Sequence, residues 1–159
     1  MQQNQHQKFM QIAIALSENN VKNGLGGPFG AVITKDGVLI AQSANTVVPS
    51  NDPTAHAEIA AIRLACTALK TFDLTGCTIY TSCEPCPMCL GAIYWAHIDT
   101  MYYANSKDDA AKIGFDDAFI YAEIDLKLEN RKLQSTRLLA QEALSVFTLW
   151  EKSESKTRY

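Results

Sequence analysis

Two short motifs constrain this chain more than anything else in it: His56-Ala57-Glu58 and Pro85-Cys86-Pro87-Met88-Cys89. Each falls at the start of a predicted helix, with a predicted strand between them. The turn cluster Pro49-Ser50-Asn51-Asp52-Pro53 leads to Thr54, which is expected to cap a helix running from His56 to Leu69. Gly76 breaks the chain, and Cys77-Thr78-Ile79-Tyr80-Thr81 has the composition of a strand. Pro85 suits the first position of a second helix, from Cys86 to Ala96. Any fold that uses both motifs must bring these two helix starts face to face.

The remaining elements supply the frame. Phe9, Ile12, Ala13, Leu16 and Val21 recur at helical spacing, after a polar amino terminus expected to fray. The glycine-rich stretch Gly24 to Gly30 ends that helix. Ala31-Val32-Ile33 and Val38-Leu39-Ile40-Ala41 flank Lys35-Asp36-Gly37, a strong signal for a tight hairpin. Thr100-Met101-Tyr102-Tyr103-Ala104 is a further strand, so the order strand, helix, strand, helix, strand implies crossovers and a partly parallel sheet covered by helices. A short helix is expected over 108–112 and a longer amphipathic one over 139–150, leaving 151–159 as a polar tail. On this reading residues 1–150 form one domain.

The two motifs fit the needs of one zinc ion. A catalytic zinc takes three protein ligands and leaves the fourth tetrahedral position open for water. Cys86 and Cys89 are three apart on a helix and share a face. They sit in its first turn, where unpaired N–H groups and the helix dipole stabilise thiolates. His56 adds a neutral imidazole, and Glu58 supplies a carboxylate close enough to take up a proton and return it. Singly, the motifs are weak: His-x-Glu arises often by chance, and Cys-x-x-Cys also serves structural zinc sites and redox pairs. Their combination favours an open catalytic site. Cys83 is the one spare thiol nearby, and the sequence leaves open a fourth-ligand role that would close the site.

Composition narrows the partners. With 47% hydrophobic and 19% charged residues in 159, the chain can fill a core without disulfides. Its apolar runs fall far short of the ~20 residues of a membrane span, and no secretion signal precedes them. A cytoplasmic location is expected, where a cysteine cluster binds metal rather than forming disulfides. Fourteen Lys and Arg against 17 Asp and Glu argue against nucleic acid as a partner. Cys66 and Cys77 are expected to be small buried residues, and His97 a surface residue beyond a helix end.

At these motifs the chain resembles the cytidine-deaminase superfamily, whose signature is His-x-Glu followed by Pro-Cys-x-x-Cys. It is most similar to the bacterial guanine-deaminase branch, through Gly26 to Ala31, Ser50 to Glu58, Tyr80 to Ala96 and Gly114-Phe115-Asp116-Asp117. The resemblance implies a three-layer α/β fold, with a central five-stranded mixed sheet between helices. It implies hydrolytic deamination of guanine to xanthine and ammonia, with one Zn2+ per chain on His56, Cys86 and Cys89 and Glu58 as the proton carrier. It places Asn45 on the purine ring and makes the backbone N–H of Ala57 a donor to the substrate carbonyl. Phe29 and Trp95 line the pocket, and Asp117 contacts the guanine edge and relays protons. A homodimer is implied, with the segment ending in Tyr159 closing over its own or the partner's site. Read from residues alone, Asn45 also fits a turn cap, Phe29 and Trp95 fit a core, and Asp117 fits a helix cap. The rival activities are a tRNA adenosine deaminase or a deaminase of cytosine, guanosine or another aminated heterocycle. A zinc-stabilised, non-catalytic interaction module is the rival from another class, and Glu58 argues against it.

Overall fold

A computed structural model describes residues 2–158 of the chain. Helix α1 (Gln2–Lys22) precedes a hairpin of β1 (Gly30–Lys35) and β2 (Val38–Ala44). A single turn, α2 (Val47–Ser50), leads to α3 (Ala57–Leu69), β3 (Cys77–Cys83), α4 (Pro87–Trp95) and β4 (Thr100–Asn105). Helices α5 (Lys107–Lys112), α6 (Ala118–Asp125) and α7 (Ala140–Lys152) follow. The expected Asp-Gly turn closes the hairpin with both residues at positive φ, 51° at Asp36 and 75° at Gly37.

Among the described residues the sheet has four strands, in the order β2-β1-β3-β4. The five-stranded sheet implied by the resemblance is therefore not present. The reason lies just past β4: Ser106 and Asp109 form a reciprocal capping box that starts α5 at once. The later apolar stretches are helical and add no strand. Strands β1 and β2, and β1 and β3, are antiparallel, whereas β3 and β4 run parallel with α4 as the crossover.

Strand alternation sorts the core into two layers. Ala31, Ile33 and Ile79 pack with Ala57, Ala61 and Ala65 of α3 and Ile93 of α4. On the opposite face Val32 and Tyr80 meet Phe9 and Ala13 of α1. Strand β3 is the centre of the arrangement, with six of its seven residues buried.

Three local expectations are corrected. The polar start is helical from Gln2 onward, because Gln5 donates to the Gly37 carbonyl at 2.8 Å and His6 pairs with the Tyr80 hydroxyl at 2.8 Å. Thr54 does not cap α3: its N–H and hydroxyl both donate to Asp52, and His56 takes the N-cap position. Likewise Cys86 is the N-cap of α4 and Pro87, not Pro85, is its first residue.

The chain divides into two compact units, one ending at Asp117 and the other starting at Ala118. In the second unit neither α6 nor α7 has a buried residue. Arg131 braces it by donating to the carbonyls of Leu126 and Ile124. Helix α7 takes in Glu151 and Lys152, which shortens the expected tail, and Tyr159 lies outside the described residues. No helix among the described residues is long and apolar enough to cross a membrane.

Ile79 is fully buried at the middle of β3, facing Ile33 on one side and Met101 on the other. Ile79→Ala is expected to cost about 2–5 kcal/mol, through lost transfer energy and an unfilled cavity. Leu144→Ala, on exposed α7, is expected to cost under about 1 kcal/mol. Urea unfolding of the two variants beside the parent chain measures the difference.

Candidate metal centre and active site

The sheet topology brings the two helix starts together. Strand β3 ends at Cys83, and the chain passes through Glu84 and Pro85 to Cys86, which sits in extended conformation as the N-cap of α4. His56 is the extended N-cap of α3, reached through a turn in which Ala55 donates to Asp52 and His56 to Thr54. The His56 side chain makes no cap hydrogen bond to α3, and the Cys86 sulfur sits beside Cys89 in the first turn of α4. Nδ1 of His56 lies 3.5 Å from Sγ of Cys86 and 3.4 Å from Sγ of Cys89.

These separations match a metal. Zinc bonds of about 2.3 Å to sulfur and 2.0–2.1 Å to nitrogen put tetrahedrally arranged donors about 3.6 Å apart. The ligand atoms of His56, Cys86 and Cys89 all lie within 4.8 Å of one another. Borderline-soft zinc suits two thiolates and an imidazole, so the donor set fits it in both spacing and chemistry. Cys83 does not join them: its thiol points to the Ser106 carbonyl at 3.5 Å. Among the described residues the candidate metal group therefore comprises His56, Cys86 and Cys89, without Cys83.

Protonation follows the same geometry. The Cys86 thiolate accepts a hydrogen bond from the Cys89 thiol and another from His56, which outweigh burial and bring it down to about 4. Cys89 keeps its proton by the same hydrogen bond, reinforced by burial and by Glu58. Without a metal the two sulfurs thus share one proton, which a divalent cation must displace. Burial and the nearby Glu58 charge push Cys83 up to about 11, as befits an inert thiol. His56 is raised, chiefly by its hydrogen bond to Cys86.

Glu58 is 7% exposed, and burial raises its pKa above the usual carboxylate range. Its Oε2 stands 3.5 Å from Sγ of Cys89. Counted around a helix, positions two apart point away from each other, but His56 is still extended, so both side chains lean over the helix end. Asp117 is raised by burial first and by the Cys86 thiolate second, so it lies within the field of the metal ligands.

The other expected residues are spread around this centre. Ala57 is fully buried as the first residue of α3, where its N–H has no acceptor within the helix. Asn45 is buried just past β2, and the next residue, Thr46, donates to Ala55 at 2.9 Å, tying this strand end to the residue before His56. Phe29 packs edge-on against Phe115 at 4.9 Å. Trp95 is not drawn in with them. It is 66% exposed, on the wall of an open apolar groove of about 690 Å3 between α3 and α4 that also includes Thr54 and Pro87. Sequence reasoning missed Glu84, which donates its N–H to Asn105 and accepts from the Lys107 N–H, bracing the segment before Cys86 against the start of α5. Nothing in its residue type or spacing signals that role.

Comparison with known proteins agrees with this geometry. Residues 3–105 match the family model described as cytidine and deoxycytidylate deaminase zinc-binding region. The chain is 51% identical to the guanine deaminase of Bacillus subtilis (strain 168), over 97% of its own length and 99% of that protein's. The crystal structure of guanine deaminase from Bacillus subtilis superposes with a TM-score of 0.94, covering 97% of this chain and 98% of the other. A tRNA-specific adenosine deaminase of Agrobacterium fabrum is also 51% identical, over 48% of this chain and 50% of that protein. With the family model spanning most of the first unit and its three-ligand centre intact, the chain belongs to the zinc-binding cytidine and deoxycytidylate deaminase family.

Proposed function

We propose that the protein hydrolyses guanine to xanthine and ammonia. The observation that carries this reading is the 51% identity to a guanine deaminase sustained over 97% of the chain. That likeness runs beyond the metal motifs, through Phe115 and Asp117 and on into the second unit. The chain's formal charge of −3 adds support, since an RNA stem calls for clustered cations.

His56, Cys86 and Cys89 would hold the zinc, which when bound supplies a Lewis acid that lowers the pKa of water at the open position towards ~7. Glu58 takes the proton of the attacking water and passes it to a ring nitrogen as the water oxygen bonds to C2. It then takes the remaining proton of the water-derived hydroxyl on C2 and delivers it to the exocyclic amine; the C2–N bond breaks as the C2 carbonyl forms, and ammonia leaves. Its raised pKa suits both halves of this task, because a base that must also act as an acid works best near the operating pH. Asp117, held in the field of the same ligands, contacts the guanine edge and relays protons. The Ala57 N–H, at the positive end of α3, donates to the substrate carbonyl. Asn45 hydrogen-bonds the ring. Its side-chain oxygen already accepts from Val47 N–H at 3.2 Å, which leaves its amide group to donate. Phe29, packed edge-on against Phe115, supplies an aromatic wall.

The working unit in this reading is a cytoplasmic homodimer with exchanged C-terminal segments. All five cysteines are free thiols, as a reducing compartment requires. Helix α7 exposes Val146, Phe147 and Trp150, an apolar row that calls for a cover. The segment after Lys152, ending in Tyr159, would close over a pocket.

The purified protein is expected to carry about one zinc per chain, with Cys86→Ala or Cys89→Ala losing it and Cys83→Ala retaining it. Metal analysis decides this, and loss of zinc from Cys83→Ala would show a fourth ligand. Guanine is expected to release ammonia while a tRNA anticodon stem-loop stays unedited, and Glu58→Gln is expected to keep its zinc but lose at least about 100-fold in kcat. Inosine formation in the tRNA with guanine inert would overturn the substrate assignment. Truncation after Lys152 is expected to preserve dimer mass by light scattering and the melting temperature, while lowering kcat/KM for guanine about tenfold or more. An unchanged kcat/KM would reduce this segment to a solvated end.

A further inference from the structure

Asn20 stands in the last turn of α1, remote in sequence from every motif, yet it is 3% exposed. Helix ends on a protein surface carry asparagine routinely, and such residues face water. This one faces inward. Its Nδ2 donates to two backbone carbonyls, that of Gly27 at 2.9 Å and that of Asn45 at 2.9 Å. A primary amide has two N–H donors, and both are spent on these contacts. The backbone carbonyl of Asn20 accepts from the Leu25 N–H, which folds the chain back at the end of the helix.

The two carbonyls belong to the segments that carry the base contacts. Gly27 lies in the loop before β1, two residues from Phe29. The Phe29 carbonyl accepts the Asn45 N–H at 2.9 Å, so loop and strand end are joined a second time. Gly26 closes on the same point: a Cβ there would meet the Asn45 carbonyl at 3.1 Å, Asn20 Nδ2 at 3.2 Å and Asn45 Oδ1 at 3.3 Å. From Asn45 the linkage continues through Thr46 to Ala55, and so to His56.

We propose that Asn20 is the positioning residue of the base-binding wall, fixing Asn45 at a set distance from the metal ligands. The proposal rests on the reading of Asn45 as a ring contact. The physical reasoning concerns reach. Asn45 lies one residue past β2 and leads into a single-turn helix, so it stands outside regular secondary structure. A buried amide bridging its carbonyl to the facing loop ties it down. Each donor replaces a water that would otherwise solvate the carbonyl. A contact prepositioned in this way binds substrate without paying to order the side chain first.

The test uses the full-length zinc-loaded enzyme and four variants. Asn20→Asp keeps the shape and removes both donors. Gly26→Ala keeps Asn20 but crowds the junction, and it stands in if Asn20→Asp does not fold. Asn45→Ala removes the contact itself, and Asn20→Asp/Asn45→Ala closes the cycle. Asn20→Asp and Gly26→Ala are expected to retain one zinc and the parent circular-dichroism spectrum. Each should raise KM for guanine about tenfold with kcat within about threefold, and weaken the calorimetric Kd of 8-azaguanine in parallel. The double variant should be no worse than Asn45→Ala by more than about twofold, since Asn20 acts through Asn45. A lowered melting temperature with unchanged KM in both positioning variants would make Asn20 a plain structural brace and overturn the proposal. Additive effects in the double variant would overturn it too. An Asn45→Ala enzyme with unchanged KM would instead sink the reading of Asn45, and the proposal with it.

Discussion

Everything in this molecule turns on two helices that begin at the same place from different directions. Helix starts present unpaired N–H groups and a partial positive charge, and here they supply a thiolate and an imidazole to one point. Without that convergence His56 and Cys86 would be ordinary N-caps on separate elements. The parallel pairing of β3 and β4 makes it possible, because α4 must leave the carboxyl end of β3 and return alongside the sheet. The crevice beyond strand carboxyl ends is where open α/β sheets place their ligands, and this chain follows the rule.

The convergence has a cost that the surroundings meet. Glu58 and the sulfur of Cys89 are both removed from water, burial raises the pKa of each, and Glu58 raises Cys89 further. A divalent cation relieves both, which makes metal binding and the ionisation of the site a single coupled event. The sheet behind them is built of small and β-branched residues, Ala31, Val32 and Ile33 among them, so α1 and α3 approach it closely from either side.

What was legible in the sequence was local or carried by spacing. The Asp36-Gly37 hairpin needed only two adjacent residues, and the metal ligands needed only two motifs in order. What was hidden depends on residues far apart. The polar first turns of α1 look like a frayed end until His6 meets Tyr80, 74 positions later. Thr54 looks like a cap until Asp52, two residues back, takes both of its donors. The fifth strand came from likeness to a family rather than from any alternating run in this chain, and a capping box at Ser106 disposes of it. Trp95 sits on α4 like the cysteines, but six positions past Cys89 it has rotated to the helix's outer side, along the groove.

The division after Asp117 has a consequence for how such a chain changes over time. His56, Glu58, Cys86, Cys89 and the buried surroundings of Asn45 all belong to the first unit, where a single added methyl group is felt. Neither helix of the second unit buries a residue within the chain, so its positions tolerate exchange as long as an apolar row survives. Mutational drift is therefore cheap in one stretch and dear in the other. A lineage can rework the residues after Asp117 while the metal centre is inherited untouched.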